Sequence, residues 1–211
     1  MRQLSCTLLG EGSSDRALGP VLTWLLRQHL PEHAIQMRWA DLARLPSPPH
    51  SLPDRIIQSA ELYPCDVLFV HRDADDKPYA TRIDEMRAAC ARAGESRGLP
   101  PIIPVVPVRM LEAWLLCDEA ALRRAAGNPN GRQPLDLPRA RDLESVLDPK
   151  TRLHELWREA SALSTRRRHS LRVSVPRLAE LTDDFSPLRR LPAFQALETE
   201  MRRTLREEGW T

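Results

Sequence analysis

The sequence lacks a long hydrophobic run and lacks paired cysteines. No stretch approaches the roughly 20 apolar residues that a bilayer-spanning helix needs, and the first three residues lead into an apolar segment, not a signal peptide. We therefore expect no membrane association and a cytoplasmic location. The four cysteines lie far apart with no Cys-X-X-Cys spacing, which argues against a disulfide framework or zinc knuckle and indicates buried thiols in a reducing compartment.

Lysine is also scarce, and the common phosphate-binding loops are absent. Lys77 and Lys150 are the only lysines among 31 Lys+Arg residues. Arginine suits bidentate phosphate contacts, although a GC-rich coding sequence would give the same bias. There is no Gly-Lys-Ser/Thr and no Gly-X-Gly-X-X-Gly pattern, so a P-loop and a dinucleotide fold are disfavoured. A net charge of +2 does not by itself indicate a nucleic-acid-binding protein.

What is present is an alternation of short apolar strands and amphipathic helices. With 211 residues and 42% hydrophobic content, the chain can bury a core as one domain with a helical extension. The fold class we expect is α/β, with a Rossmann-like, mostly parallel sheet of about four strands, flanking helices and a helical C-terminal extension. The expected division is 1–125 for the core and 126–211 for the extension. Hydrophobic periodicity predicts strands at 3–9, 34–39, 67–70 and 102–108, and helices at about 15–30, 53–62, 79–93, 109–124, 149–162, 176–181 and 192–208.

Acidic residues follow three of these strands. Asp73 and Asp75 come directly after the third strand, and Glu11 follows the first strand between two glycines. Glu112 follows the fourth strand, among apolar neighbours where a solvating acid is unusual. Ligand crevices in open α/β sheets lie at the carboxyl ends of strands, and two carboxylates one residue apart can share a divalent cation. The arrangement predicts a hard-metal site.

Ordinary structural roles compete with this interpretation. Aspartates in turns after strands accept backbone hydrogen bonds or cap helices, and Glu112 could instead interact favourably with a helix N-terminus. Ser13, Ser14 or Asp15 is expected to cap the first helix. His71 and Arg72 flank the acids, where strand alternation would turn one of them into the packing of the sheet.

Two acidic blocks and a third segment resemble the Toprim superfamily. That family has a glutamate after the first strand and Asp-X-Asp after a later one, matched here by residues 9–15 (LGEGSSD) and 70–75 (VHRDAD). Residues 109–118 (RMLEAWLLCD) are similar to a block of small stand-alone bacterial Toprim proteins. Those proteins are uncharacterised and defence-associated, and are related to the nuclease domain of overcoming-lysogenisation-defect proteins.

The resemblance implies Mg²⁺- or Mn²⁺-dependent phosphodiester hydrolysis of DNA or RNA. Asp73 and Asp75 would hold the metal, Glu11 would bind it or act as general acid/base, and Glu112 would complete a second metal position. No tyrosine is obviously placed as a covalent nucleophile, so hydrolysis is favoured over strand passage. The four acids would thus hold the metal, and the candidate contacts to phosphate are Arg72, Arg109 and Lys150.

The partner and one alternative function follow from the same resemblance. It implies anti-phage defence with an AAA or SMC-like ATPase partner, and leaves open a catalytically idle interaction subunit of that ATPase. A small-molecule phosphohydrolase in which Asp73 is phosphorylated is a third hypothesis.

The basic run 166–172 is a solvated surface or a contact to a phosphate backbone. Trp210 is expected to be exposed, which favours a docking or homodimer surface for the C-terminal helices.

Overall fold

The core of the molecule is a four-stranded parallel sheet. The structure is a computed structural model that describes residues 2–95, 98–163 and 174–211. The strand order is β2-β1-β3-β4, and every pairing is parallel, which confirms the predicted α/β class and strand number. The strands are β1 (Gln3–Leu9), β2 (Ala34–Trp39), β3 (Val67–His71) and β4 (Ile102–Val105).

Prolines explain the length and place of β4. The prediction extended this strand to residue 108, but it ends at Val105. Pro107 has no N–H to donate to a ladder, so regular pairing cannot continue through it. Pro104 is tolerated within β4 because that strand lies at the sheet edge, as its proline content predicted.

Side-chain alternation divides the sheet into two apolar faces. Leu8 and Phe69 are paired neighbours in β1 and β3, and both belong to the larger core on one face. The next pair, Leu9 and Val70, belongs to the smaller core on the other face. Burial on both faces is why β3 reads as an unbroken apolar run.

Helices cover both faces. α1 and the C-terminal helices pack over the larger core, whereas α2 and α3 pack over the smaller one. None of the helices among residues 2–95, 98–163 and 174–211 is long and apolar enough to cross a membrane. The helices are α1 (Leu18–His29), α2 (Leu52–Leu62), α3 (Tyr79–Gly94), α4 (Glu119–Ala125), α5 (Pro149–Ala160), α6 (Val175–Leu181) and α7 (Pro192–Glu207).

The predicted continuous helix over 109–124 is wrong. A 3₁₀ segment, Leu111–Cys117, comes first and is followed by α4. Asp118 separates them in an extended conformation, and its side chain accepts a hydrogen bond from the Ala121 N–H at 3.0 Å. Six consecutive residues of the 3₁₀ segment are buried, so the segment has no solvent-facing side to give an amphipathic helix.

The C-terminal helices share the larger core with the sheet. Phe194 of α7 meets Trp114 edge-on, with ring centroids 5.3 Å apart, and both side chains are fully buried. The division into 1–125 and 126–211 stays a prediction, but apolar side chains from both ranges form one continuous cluster.

Trp210 was expected to be exposed, but it is half-buried. The Arg2 guanidinium lies 3.7 Å from the centroid of the Trp210 ring, and the His33 ring meets it edge-on. These contacts fasten the end of the chain beside the start of β1, so Trp210 no longer argues for a dimer or docking surface. The basic run 166–172, the other predicted contact surface, lies outside the described residues.

We expect Phe194→Ala to lower the free energy of unfolding by about 3–5 kcal/mol, since it removes a buried ring and leaves a cavity beside Trp114. Urea unfolding followed by circular dichroism measures the change. Leu147→Ala is the control, because Leu147 is 79% exposed and its truncation should change stability by less than about 0.5 kcal/mol. A Phe194 variant as stable as the control would contradict the shared core.

Candidate active site at the strand ends

The strand order places a topological switch point between β1 and β3. The chain leaves β1 towards β2 on one side and later returns to β3 on the other side of β1. Crevices form where connections diverge in this way, just beyond the carboxyl ends of the two strands. Glu11 follows β1 and Asp73 follows β3, so both predicted residues lie at this point.

The loop after β1 is held by Asp15. One Asp15 carboxylate oxygen, Oδ2, accepts hydrogen bonds from the backbone N–H groups of Glu11 at 2.7 Å and Gly12 at 3.0 Å. Asp15 therefore performs the capping role that the sequence suggested, although it caps a 3₁₀ segment, Ser13–Ala17, before α1 begins. The same carboxylate is buried, so it also adds negative charge beneath the loop.

The loops after β3 and β4 are joined to each other. The Asp75 N–H donates to the Arg109 carbonyl at 2.8 Å, and the Leu111 N–H donates to Asp73 Oδ1 at 2.9 Å. Asp75 and Arg109 both have left-handed backbones, with φ of 53° and 61°, which non-glycine residues seldom adopt. This strained junction fixes Asp73 against the start of the 3₁₀ segment that carries Glu112.

A buried histidine lies beneath the acids. His71 Nδ1 is 3.1 Å from the Val105 carbonyl oxygen, which can only accept, so Nδ1 carries the proton. Burial lowers the pKa of His71, which favours the neutral ring and leaves a lone pair on Nε2. Among the described residues that atom has no hydrogen-bond partner, and it lies 3.5 Å from an Asp73 oxygen and 3.8 Å from an Asp15 oxygen.

The acids around this histidine repel one another. Burial, and then the charges of Asp15 and Glu112, raise the pKa of Asp73 to about 8, even though its hydrogen bond from Leu111 acts in the opposite direction. At neutral pH the Asp73 carboxyl is therefore mostly protonated. The cluster needs either that proton or another positive charge, since a lone pair and several carboxylates face the same small space.

Arginines neutralise the outer acids. Arg72 Nε donates to Glu11 Oε1 at 3.0 Å. Arg82, almost fully buried, donates to Asp75 Oδ2 at 3.1 Å, and the Asp75 side chain is 53% exposed. These two pairs turn Glu11 and Asp75 towards arginine and away from a shared cation.

The donor atoms suit a hard divalent cation in kind, but they are not assembled around one. Within residues 2–95, 98–163 and 174–211, no three histidine, cysteine, aspartate or glutamate side chains form a group that could hold a metal ion as they stand. Carboxylate oxygens are nevertheless the ligands that Mg²⁺ and Mn²⁺ prefer, and the unpartnered Nε2 of His71 is a further available donor. Metal binding would need Glu11 to leave Arg72.

The structure brings some of the predicted residues together and separates others. The charge of Glu112, which is itself buried, reaches Asp73. Arg109 is 3.6 Å from Asp76, beside the site. Lys150 is exposed near the start of α5, and no hydrogen bond or ion pair among the described residues joins it to any of the four predicted acids.

Two arginines at the site were missed by sequence reasoning. Arg55 of α2 donates to the Gly10 carbonyl, and Arg82 lies in the first turns of α3. Neither lies in an acidic block, and only the packing of α2 and α3 on the sheet brings them to the strand ends. The sequence indicates His71 more clearly than these arginines, because His71 ends β3, two residues before Asp73.

Comparisons with known proteins do not assign the chain to a family. No family model matches the chain, and no curated protein or solved structure matches it either. The likeness of the acidic blocks to the Toprim pattern therefore stays a prediction.

We expect Gly10→Ala to disturb the Glu11 loop, whereas Gly12→Ala should be tolerated. A Cβ atom at Gly10 would lie 2.6 Å from the Trp39 ring and 2.7 Å from Asp15 Cβ, while at Gly12 the nearest atom is 3.9 Å away. Overpacking of this kind should cost about 1–3 kcal/mol. Thermal unfolding of both variants measures the difference, and equal melting temperatures would contradict the described packing.

Proposed function

We propose that this protein is a divalent-metal-dependent nuclease that hydrolyses phosphodiester bonds in nucleic acid. The observation that carries the proposal is the closeness of Asp15 and Asp73 to the unpartnered nitrogen of His71, at 3.8 and 3.5 Å, together with the charge of Glu112 and a pKa of Asp73 raised to about 8. Strongly perturbed carboxyl groups at a strand-end crevice are typical of functional sites.

The residues divide into those that would hold Mg²⁺ or Mn²⁺ and those that would bind phosphate. Asp73 and Glu112 are the inner ligands, and Glu11 joins them when its bond to Arg72 opens. Asp75 is assigned to the junction with Arg82 instead of the inner ligand set. A bound divalent cation would activate water and neutralise charge on the phosphate.

Arginines at the rim supply the phosphate contacts. When Glu11 turns inward, Arg72 loses its carboxylate partner and becomes free to donate to a phosphate oxygen. Its planar guanidinium can make two parallel hydrogen bonds to that group. Exchange of partners at the Glu11–Arg72 pair would thus couple metal binding to substrate binding. Arg109 lies beside the same rim and is a second candidate contact.

A catalytically idle interaction subunit is the second candidate function. The observation in its favour is that Glu11 and Asp75 are already paired with arginines, so these acids have a structural role without any metal. The ATPase partner and a role in anti-phage defence rest on the resemblance of the acidic blocks alone, for either function.

We expect labelled DNA or RNA to be cut in Mn²⁺ or Mg²⁺ but not in EDTA, and Asp73→Asn or Glu11→Gln to slow cutting by about 100-fold or more. Asp84→Asn is the matched control, because Asp84 is an exposed acid of α3 outside the site. Circular dichroism confirms that each variant is folded. Cutting that survives EDTA or the Asp73 substitution would contradict the proposal, and no cutting with intact partner binding would favour the idle subunit.

A further inference from the structure

A groove lies next to the acidic centre but outside it. It has a volume of about 850 Å³ and runs between α1, β2 and the segment after α6. Trp24 and Trp39 line it, and both residues are half-buried. The Arg189 guanidinium lies 5.1 Å from the centroid of the Trp24 ring, and the Arg16 guanidinium lies 5.7 Å from that of Trp39.

The groove continues to Glu11. A second recess, of about 290 Å³, is lined by Glu11 and Arg55. Trp39 and Asp41 lie in the walls of both cavities, so the recess adjoins the groove, and we call the two together the track. The track therefore connects the outer tryptophan, Trp24, with the loop after β1.

Charge along the groove is unbalanced in favour of arginine. Asp41, an acid in its wall, is held by Arg16 at 3.0 Å and by Arg44 at 2.9 Å. The other two acids of the wall are likewise paired, Asp183 with Arg124 and Glu180 with Arg177.

Two arginines of the groove, in contrast, have no acidic partner. Arg27 and Arg38 are exposed, and neither has a carboxylate partner within the described ranges. These two guanidinium groups are available to an anionic ligand.

We infer that this groove binds single-stranded nucleic acid and leads it past Trp39 to Glu11. Half-buried indoles beside arginines offer surfaces on which unpaired bases can stack, and the guanidinium groups of Arg27 and Arg38, which have no carboxylate partner among the described residues, can follow the phosphates. A duplex keeps its bases stacked inside, so it would give these indoles nothing to bind. The inference rests on the proposed function, since it names the substrate class of that site, and the shared chemistry of DNA and RNA single strands fits it equally.

The test measures binding in EDTA, so that cutting does not interfere. Fluorescein-labelled oligo-dT and oligo-rU of about 12 nucleotides, a duplex of the same length and free thymidine monophosphate are compared by fluorescence anisotropy and competition. We expect both single strands to bind more tightly than the duplex, with quenching of tryptophan fluorescence, and the mononucleotide to compete poorly.

Charge-reversal variants test whether the groove is the site that binds the single strand. Arg27→Glu/Arg38→Glu should weaken single-strand binding by about tenfold or more and make the salt dependence shallower by about 1.4 in slope. Arg87→Glu/Arg92→Glu is the matched control, with the same charge change on exposed residues of α3 that do not line the groove. The control should bind within about twofold of the unchanged protein, and circular dichroism should show both variants folded.

The outcomes separate this inference from the proposed function. Equal weakening in both double variants, preference for the duplex, or equally strong competition by the mononucleotide would overturn the groove as a single-strand site. Groove-dependent binding by a protein that never cuts would support the inference while the nuclease proposal fails. Cutting of single strands that is unaffected by Arg27→Glu/Arg38→Glu would overturn the inference while the nuclease proposal stands.

Discussion

The repulsion between half-buried Asp73, at the end of β3, and the buried carboxylates of Asp15 and Glu112 is the constraint on which the site depends. Asp73 is held against Asp15 and Glu112 by the sheet, by the Leu111 N–H and by the strained junction of the two loops. His71 adds a lone pair in place of a proton because its other nitrogen is bound to the Val105 carbonyl. A fold that needs only stability would not be expected to gather these groups, so their proximity is the strongest indication of function.

The groups around this cluster compensate its negative charge. Arg72 and Arg82 neutralise the two outer acids, and backbone N–H groups satisfy Asp15. Asp73 is left with one backbone donor and no cation. Asp73 is therefore the carboxyl whose protonation responds to pH and to added metal ions, whereas the Glu11–Arg72 pair is exposed enough to exchange partners. This division between a fixed interior and an exchangeable rim is what the proposed chemistry requires.

Much of the fold could be predicted from the sequence, because buried strands and amphipathic helices leave local patterns. β1 and β2 were predicted at their observed bounds, and four acids were predicted to follow three strands that prove to be parallel. The 3₁₀ segment Leu111–Cys117 could not be predicted, since burial on all sides removes the periodicity that distinguishes an α-helix from a 3₁₀ segment. Pairing of Asp75 with Arg82 was equally invisible, because it depends on how α3 packs and on a left-handed residue.

Calorimetric titration of Mn²⁺ at pH 7, in two buffers with different ionisation enthalpies, tests the central claim most directly. With an Asp73 pKa of about 8, the folded protein holds a proton that the metal must displace, so binding at pH 7 should release nearly one proton. Below pH 8, the affinity for Mn²⁺ should increase by up to about tenfold for each unit by which the pH is raised. Asp73→Asn should abolish both the binding and the proton release, while Asp84→Asn should preserve them. Absence of Mn²⁺ binding even with single-stranded DNA present, or binding without proton release that is unchanged in Asp73→Asn, would contradict the account.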